Sequence, residues 1–126
     1  MRFKLPSWLG RRRPLVTPVH VQFINFHCEQ DGPAERKLKA QWQPILAGST
    51  EVTHAYLVCV SYGAEETDHV MLALRSTGGL DHDLVFSLRA VFAYDFHRDS
   101  TLDICYVNAA QESQILEVCR PFYVAP

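Results

Sequence analysis

The adjacent residues His27 and Cys28 have the types that a cysteine nucleophile and its general base require. Successive residues of a strand point to opposite faces of a sheet, so these two side chains are not expected to reach each other. The same parity separates His54 from Cys59 on the next predicted strand and weakens a metal site shared between them. These residues therefore predict neither a catalytic cysteine nor a metal centre.

Two further segments, Asp81-His82-Asp83 and residues 95–99, combine acidic side chains with histidine. Neither has a recognised metal-binding spacing, and the first lies where a helix is predicted to begin, a position that favours acidic residues. Gly78-Gly79 indicates a turn, and the sequence contains no P-loop motif. The sequence thus predicts no cofactor, no metal and no enzymatic activity.

The four cysteines lie in or beside apolar segments and are far apart in sequence. No apolar segment typical of a signal peptide follows the basic residues near the start, and no apolar run approaches the ~18–20 residues of a membrane span. We therefore expect reduced core thiols in a cytoplasmic protein at all four positions, which are Cys28, Cys59, Cys105 and Cys119.

The charges are distributed unevenly along the chain. Five of the twelve lysines and arginines precede Pro14, which leaves seven against all fourteen acidic residues and a formal charge of −7 for the remainder. An acidic body argues against nucleic-acid binding, since phosphate contacts require a basic surface. Residues 1–14 are expected to be a flexible basic leader, and membrane contact is not expected because Pro6 and Gly10 interrupt its apolar residues. Residues 15–126 are predicted to form a single domain.

The apolar periodicity predicts elements in the order strand, helix, strand, strand, helix, strand. The strands are predicted over residues 19–26, 52–62, 69–75 and 101–107, and a short last helix over residues 109–119. This order is the split-βαβ, ferredoxin-like arrangement. We therefore predict an α+β fold with an antiparallel sheet in the strand order 4-1-3-2, two helices on one face and a short C-terminal helix.

The period of two along the strands assigns residues to the two sheet faces. One face is predicted to meet the helices through Val19, Val21, Phe23, Leu72, Leu74, Leu102 and Ile104. The other face is predicted to be uncovered, as is common in antiparallel sheets, and to be polar with an aromatic edge. It is the candidate partner-binding surface, with the residues His20, Gln22, Tyr56 (or His54), Met71, Arg75, Thr101 and Asp103.

Three short stretches resemble the C-terminal domain of the enhanced serine sensitivity protein B (SseB) family. They are Ala55-Tyr56-Leu57, Leu102-Asp103-Ile104 and Arg120-Pro121-Phe122-Tyr123, and with the order of elements the resemblance spans residues 15–123. The family name implies a link to serine metabolism. The resemblance implies no catalytic residues.

Two functions fit these observations, and RNA binding is not one of them. RNA-binding ferredoxin-like domains use aromatic residues on their first and third strands, and residues 69–75 contain none. We expect a non-catalytic interaction module that binds a protein partner or a second copy of itself. The alternative is an ACT-like regulatory module that binds an amino acid, because ACT domains share this element order and Asp31-Gly32-Pro33 lies at the turn where they bind.

Overall fold

The computed structural model describes residues 23–65, 67–96 and 101–126. The elements follow the order β1 (Ile24–Glu29), α1 (Pro33–Ala47), β2 (Val52–Tyr62), β3 (His69–Ser76), α2 (His82–Asp95), β4 (Asp103–Tyr106), α3 (Ala109–Leu116) and β5 (Tyr123–Val124). The α+β class and the predicted order of the first six elements are confirmed. Predictions about residues 1–14, and about Val19, His20, Val21 and Gln22, lie outside the described residues.

The sheet is built on the antiparallel hairpin of β2 and β3. β1 pairs with the second half of β2, and the short β5 pairs with the first half of the same strand, from His54 to Ala55. β4 lies parallel to β3 on the opposite side, with Leu72 beside Ile104. The sheet is therefore mixed, in the order β1-β2-β3-β4 with β5 beside β2.

The predicted strand order 4-1-3-2 and the fully antiparallel sheet are wrong. The segment after β3 crosses over through α2 and returns parallel to β3, which places β4 directly beside it. β2 has 11 residues, enough for β1 and β5 to share its other edge. Element order alone does not decide which edge of a hairpin a flanking strand joins.

The first sheet face is covered by α1 and α2, so the prediction that both helices lie on one face is confirmed. Leu38, Trp42 and Leu46 of α1 form one buried cluster with Leu84 and Leu88 of α2. The indole N–H of Trp42 donates a 3.0 Å hydrogen bond to the carbonyl oxygen of Leu88, which ties the two helices together. The predicted facing is confirmed for four residues of the predicted strands, namely Leu72, Leu74, Leu102 and Ile104, whereas Phe23 is exposed.

The second sheet face is covered by α3. Asn108 caps the start of this helix with a reciprocal capping box. The Asn108 side chain accepts a hydrogen bond from the backbone N–H of Gln111, and the Gln111 side chain accepts one from the backbone N–H of Asn108. Ile115 is fully buried and packs with Cys119 against Tyr56 and Met71 of the sheet. Among the described residues, no helix is both long and apolar enough to cross a bilayer.

Candidate functional site

The sheet face predicted to be open is a second interior of the molecule. Tyr56 and Met71 are at most 2% exposed and Asp103 is 7% exposed, while Thr101 and Arg75 are half-buried. The expectation of an uncovered face is wrong because α3 folds back over it. A short amphipathic helix at the end of a chain gives no sequence signal of where it docks. The partner-binding role proposed for these residues stays a prediction, now without an open surface to support it.

Glu112 of α3 joins the helix to this face. Its carboxylate accepts one hydrogen bond from the Tyr56 hydroxyl and another from Nε of Arg75 at 3.0 Å. Arg75 also donates to the carbonyl oxygen of Val107 at 3.2 Å, just before the helix begins. Burial, with the adjacent Glu112 carboxylate second, raises the pKa of Tyr56 above its usual range. These hydrogen bonds join α3 and Val107 to β2 and β3.

A second polar network lies beneath the other end of the same face. The Tyr62 hydroxyl donates to the carboxylate of Asp103 across β3, and the Tyr62 ring packs 5.1 Å from that of His69, centroid to centroid. His69 in turn contacts Glu65 at 2.9 Å. Burial first, and the Asp103 charge second, raise the pKa of Tyr62 strongly. The predicted candidate Asp103 is thus a buried acceptor for a tyrosine.

His27 and Ser61 come together with Asp68 at the end of the hairpin. His27 Nε2 lies 2.8 Å from Ser61 Oγ and 4.0 Å from Asp68 Oδ1. In a catalytic triad the serine and the carboxylate contact opposite ring nitrogens, so that one nitrogen takes the proton while the other is held. Here a single nitrogen faces both groups, and the Asp68 side chain is 67% exposed. This geometry does not build an activated serine.

Lys39 of α1 lies against the Asp31-Gly32-Pro33 turn, where the ACT-like alternative expects a ligand. Its side chain is 9% exposed, and Nζ lies 2.9 Å from Asp31 Oδ1 and 3.5 Å from Glu29 Oε2. The hydrogen bond from Lys39 is the main cause that lowers the pKa of Asp31. The acidic side chain of the Asp31-Gly32-Pro33 turn is therefore paired within the domain. The amino-acid-binding alternative stays a prediction without a contact that favours it.

The outer face of α2 carries the largest exposed apolar groups of the described helices. Phe86 is 75% exposed and Tyr94 is 90% exposed. They lie two helical turns apart, and Ala90, between them on the same face, is also exposed. Since the core residues Leu84 and Leu88 occupy the opposite face, α2 is apolar on two sides. We call Phe86, Ala90, Ala93 and Tyr94 the outer α2 face.

Sequence analysis identified the core stripe of α2 and missed the outer one. The signal was available, because residues 86, 90 and 94 repeat every four positions in the same way as residues 84 and 88. Two apolar stripes on one helix indicate two packing contacts. One of them is the sheet, and the other has no partner among the described residues.

Neither the contacts of the described residues nor comparison with known proteins supports a metal site or a family. In the described ranges, no group of three His, Cys, Asp or Glu side chains is arranged to hold a metal ion. No family model, curated protein or solved structure matches the chain. The comparisons therefore assign no family, and the resemblance to the SseB C-terminal domain stays a prediction.

Proposed function

We propose that this chain is a non-catalytic interaction module and that it pairs with a second copy of itself through the outer α2 face. The observation that carries the proposal is the exposure of Phe86 and Tyr94 on a helix whose other side is already packed. Aromatic residues dominate the energetics of protein interfaces because each buries a large area at a small entropic cost. The favourable free energy of burying these two rings is gained only when a partner covers them.

The spacing on α2 favours a second copy as that partner. Phe86 and Tyr94 are each four residues from Ala90. A two-fold axis through Ala90 therefore places Phe86 of one α2 opposite Tyr94 of an antiparallel α2, which makes the face self-complementary. Ala90 and Ala93 are small enough to let the two helix axes approach to the ~8–10 Å of packed helices. The resulting contact is isologous and closes on itself.

The size of the face predicts a weak association. α2 has 14 residues, and a helix of that length extends ~21 Å. A contact made by one such helix from each copy falls at the small end of specific interfaces. We expect a reversible dimer with a dissociation constant in the micromolar range, which suits a module that exchanges partners.

Two of the stretches that resemble the SseB family contact each other in the sheet, which supports a structural role for them. The Phe122 backbone N–H donates to the carbonyl oxygen of Ala55 at 2.9 Å, and Tyr123 pairs with Ala55 in the sheet. Two of the three stretches thus meet where β5 closes the edge of β2. We carry the family membership and the cytoplasmic location forward within this proposal.

Sedimentation velocity over a range of concentrations tests the dimer. The wild-type chain should shift from monomer to dimer as concentration rises, and Phe86→Glu should keep it monomeric because the variant places two negative charges in the contact. Leu116→Glu is the matched control, since Leu116 is 54% exposed on α3, away from α2. A monomeric wild type at high concentration, or a Phe86→Glu variant that still dimerises, would refute the proposal.

Cross-linking tests the two-fold axis itself. In a Cys28→Ser background, which removes the exposed native thiol, Ala90→Cys should form a covalent dimer on mild oxidation because residue 90 meets its own copy. Ser113→Cys on the exposed side of α3 is the control and should remain monomeric. If both variants cross-link equally, the contact is not through α2.

A further inference from the structure

Cys28 and Cys59 lie directly opposite each other across the antiparallel pair of β1 and β2. Side chains of opposed residues project from the same sheet face, and their Cα atoms are ~4.5–5.5 Å apart, depending on the hydrogen-bonding class of the pair. A disulfide requires a Cα separation of about 4.4–6.8 Å. The register therefore brings two thiols, distant in sequence, within the range of a covalent bond.

The two thiols differ in access. Cys28 is exposed on the edge strand β1, immediately after a register shift that follows Phe26, whereas Cys59 is half-buried on the central strand. Burial raises the pKa of the Cys59 thiol to about 11. Cys28 is therefore the thiol that a reagent from solvent reaches first, and Cys59 is placed behind it.

The other two cysteines do not share this arrangement. Cys119 is buried beneath α3, where its thiol contacts the carbonyl oxygen of Leu57, and burial raises its pKa to about 12. Cys105 is half-buried on β4, where it pairs with Ala73 rather than with a thiol. They serve as internal controls for any chemistry at the Cys28–Cys59 pair.

We propose that Cys28 and Cys59 form a reversible disulfide by exchange with a low-molecular-weight disulfide such as oxidised glutathione. Cys28 loses its proton and attacks one sulfur of that disulfide, which releases one glutathione and leaves a mixed disulfide on Cys28. The Cys59 thiolate then attacks Cys28 Sγ, which forms the protein disulfide and releases the second glutathione. The protein loses two electrons and two protons, and oxidised glutathione is reduced to two thiols.

The bond would change the domain as well as its thiols. It would fasten the edge strand β1 to β2 and close a loop that contains α1. A cross-link of this kind restricts the unfolded chain and raises the stability of the oxidised form. All four cysteines are free in the structure, which is therefore the reduced form. The disulfide would be a modification of this form, and its extent would follow the ratio of thiols to disulfides around the protein.

Equilibration of the full chain in glutathione buffers tests the proposal. As the oxidised fraction rises, the number of thiols that can be alkylated should fall from the four present in the reduced form to two. Digestion without reductant should yield one cross-linked peptide pair containing Cys28 and Cys59. The melting temperature of the oxidised monomer should rise by several degrees, and reduction should restore four thiols. Four remaining thiols at the most oxidising ratio, or a bond mapped elsewhere, would overturn it.

Single substitutions test the order of the two steps. Cys59→Ser should stop the reaction at a stable glutathione adduct on Cys28, and Cys28→Ser should greatly slow any reaction of Cys59. Cys105→Ser is the matched control and should form the bond as the wild type does. A Cys59→Ser variant that accumulates no adduct would show that Cys28 is not the entry point, and would contradict the mechanism.

Discussion

The two helices that cover opposite sides of the sheet, α2 and α3, differ in what they turn outward. α3 buries Ile115 and ties itself to the sheet through Glu112, which accepts from both Tyr56 and Arg75. α2 buries a comparable stripe and turns Phe86 and Tyr94 to solvent as well. Apart from Leu116, the large apolar residues of α3 are packed against the sheet, so this helix needs little further cover in the folded monomer. A helix that is apolar on two sides has surface left for a partner.

The largest expected effect is the difference in stability between a substitution on the buried side of α3 and one on the outer α2 face. Ile115→Ala should lower the free energy of unfolding by about 3 kcal/mol, since the side chain is fully buried and its removal leaves a cavity. Phe86→Ala should change it by less than about 0.5 kcal/mol because the ring is 75% exposed. Urea denaturation at low protein concentration, where the monomer predominates, measures both.

Equal losses for the two variants would remove the distinction between the helices. A large loss for Phe86→Ala would mean that the outer α2 face is packed within the monomer, and the proposed dimer would then lose its surface.

The two helices also differ in how much of their packing the sequence could predict. Period-two strands and four-residue stripes predicted the elements, and they assigned Leu72, Leu74 and Leu102 to the correct side. They could not predict strand order, because β4 joins β3 through a crossover whose register is set by packing. They also could not predict that α3 covers Tyr56 and Met71. Such docking depends on contacts between residues far apart in the chain, such as Arg75 with Glu112.

The next effect tests whether the charge on β3 serves folding or a partner. Sequence parity placed Arg75 on an open face, whereas its side chain is 31% exposed and bonded to Glu112. Arg75→Glu should cost about 2 kcal/mol, because it removes charge-assisted hydrogen bonds and sets two carboxylates against each other. The control Arg36→Glu reverses a charge that is 68% exposed and should cost under about 1 kcal/mol. Chemical denaturation measures the free energy of unfolding of both variants. An Arg75→Glu variant as stable as the wild type would show that α3 is held by its apolar contacts alone.

The smallest expected effect concerns pH and the tyrosines beneath α3. The folded-state pKa of Tyr62 is raised by burial and by Asp103, so the unfolded chain releases this proton first, near pH ~10. The contribution of Tyr62 to stability is therefore intact below that pH. It falls by at most ~1.4 kcal/mol per pH unit above it, until the pH reaches the folded-state pKa. The thiols of Cys59 and Cys105 have pKa values raised to about 11 in the folded protein. They add a further loss of stability that begins at lower pH, because a thiol in the unfolded chain ionises near pH ~8.5.

Denaturation midpoints between pH 8 and 11 measure this loss, and Tyr62→Phe isolates its origin. The variant also removes the hydrogen bond to Asp103, so the quantity to compare is the slope with pH rather than the stability at any one pH. Above pH ~10 the slope should be shallower in Tyr62→Phe than in the wild type, by up to ~1 kcal/mol per pH unit. Phe86→Ala on the outer α2 face should keep the wild-type slope, because it removes no ionisable group and its ring is 75% exposed. A Phe86→Ala variant that flattens the slope as much as Tyr62→Phe would mean that the loss at high pH does not originate at Tyr62, and its attribution to the tyrosine buried beneath α3 would be wrong.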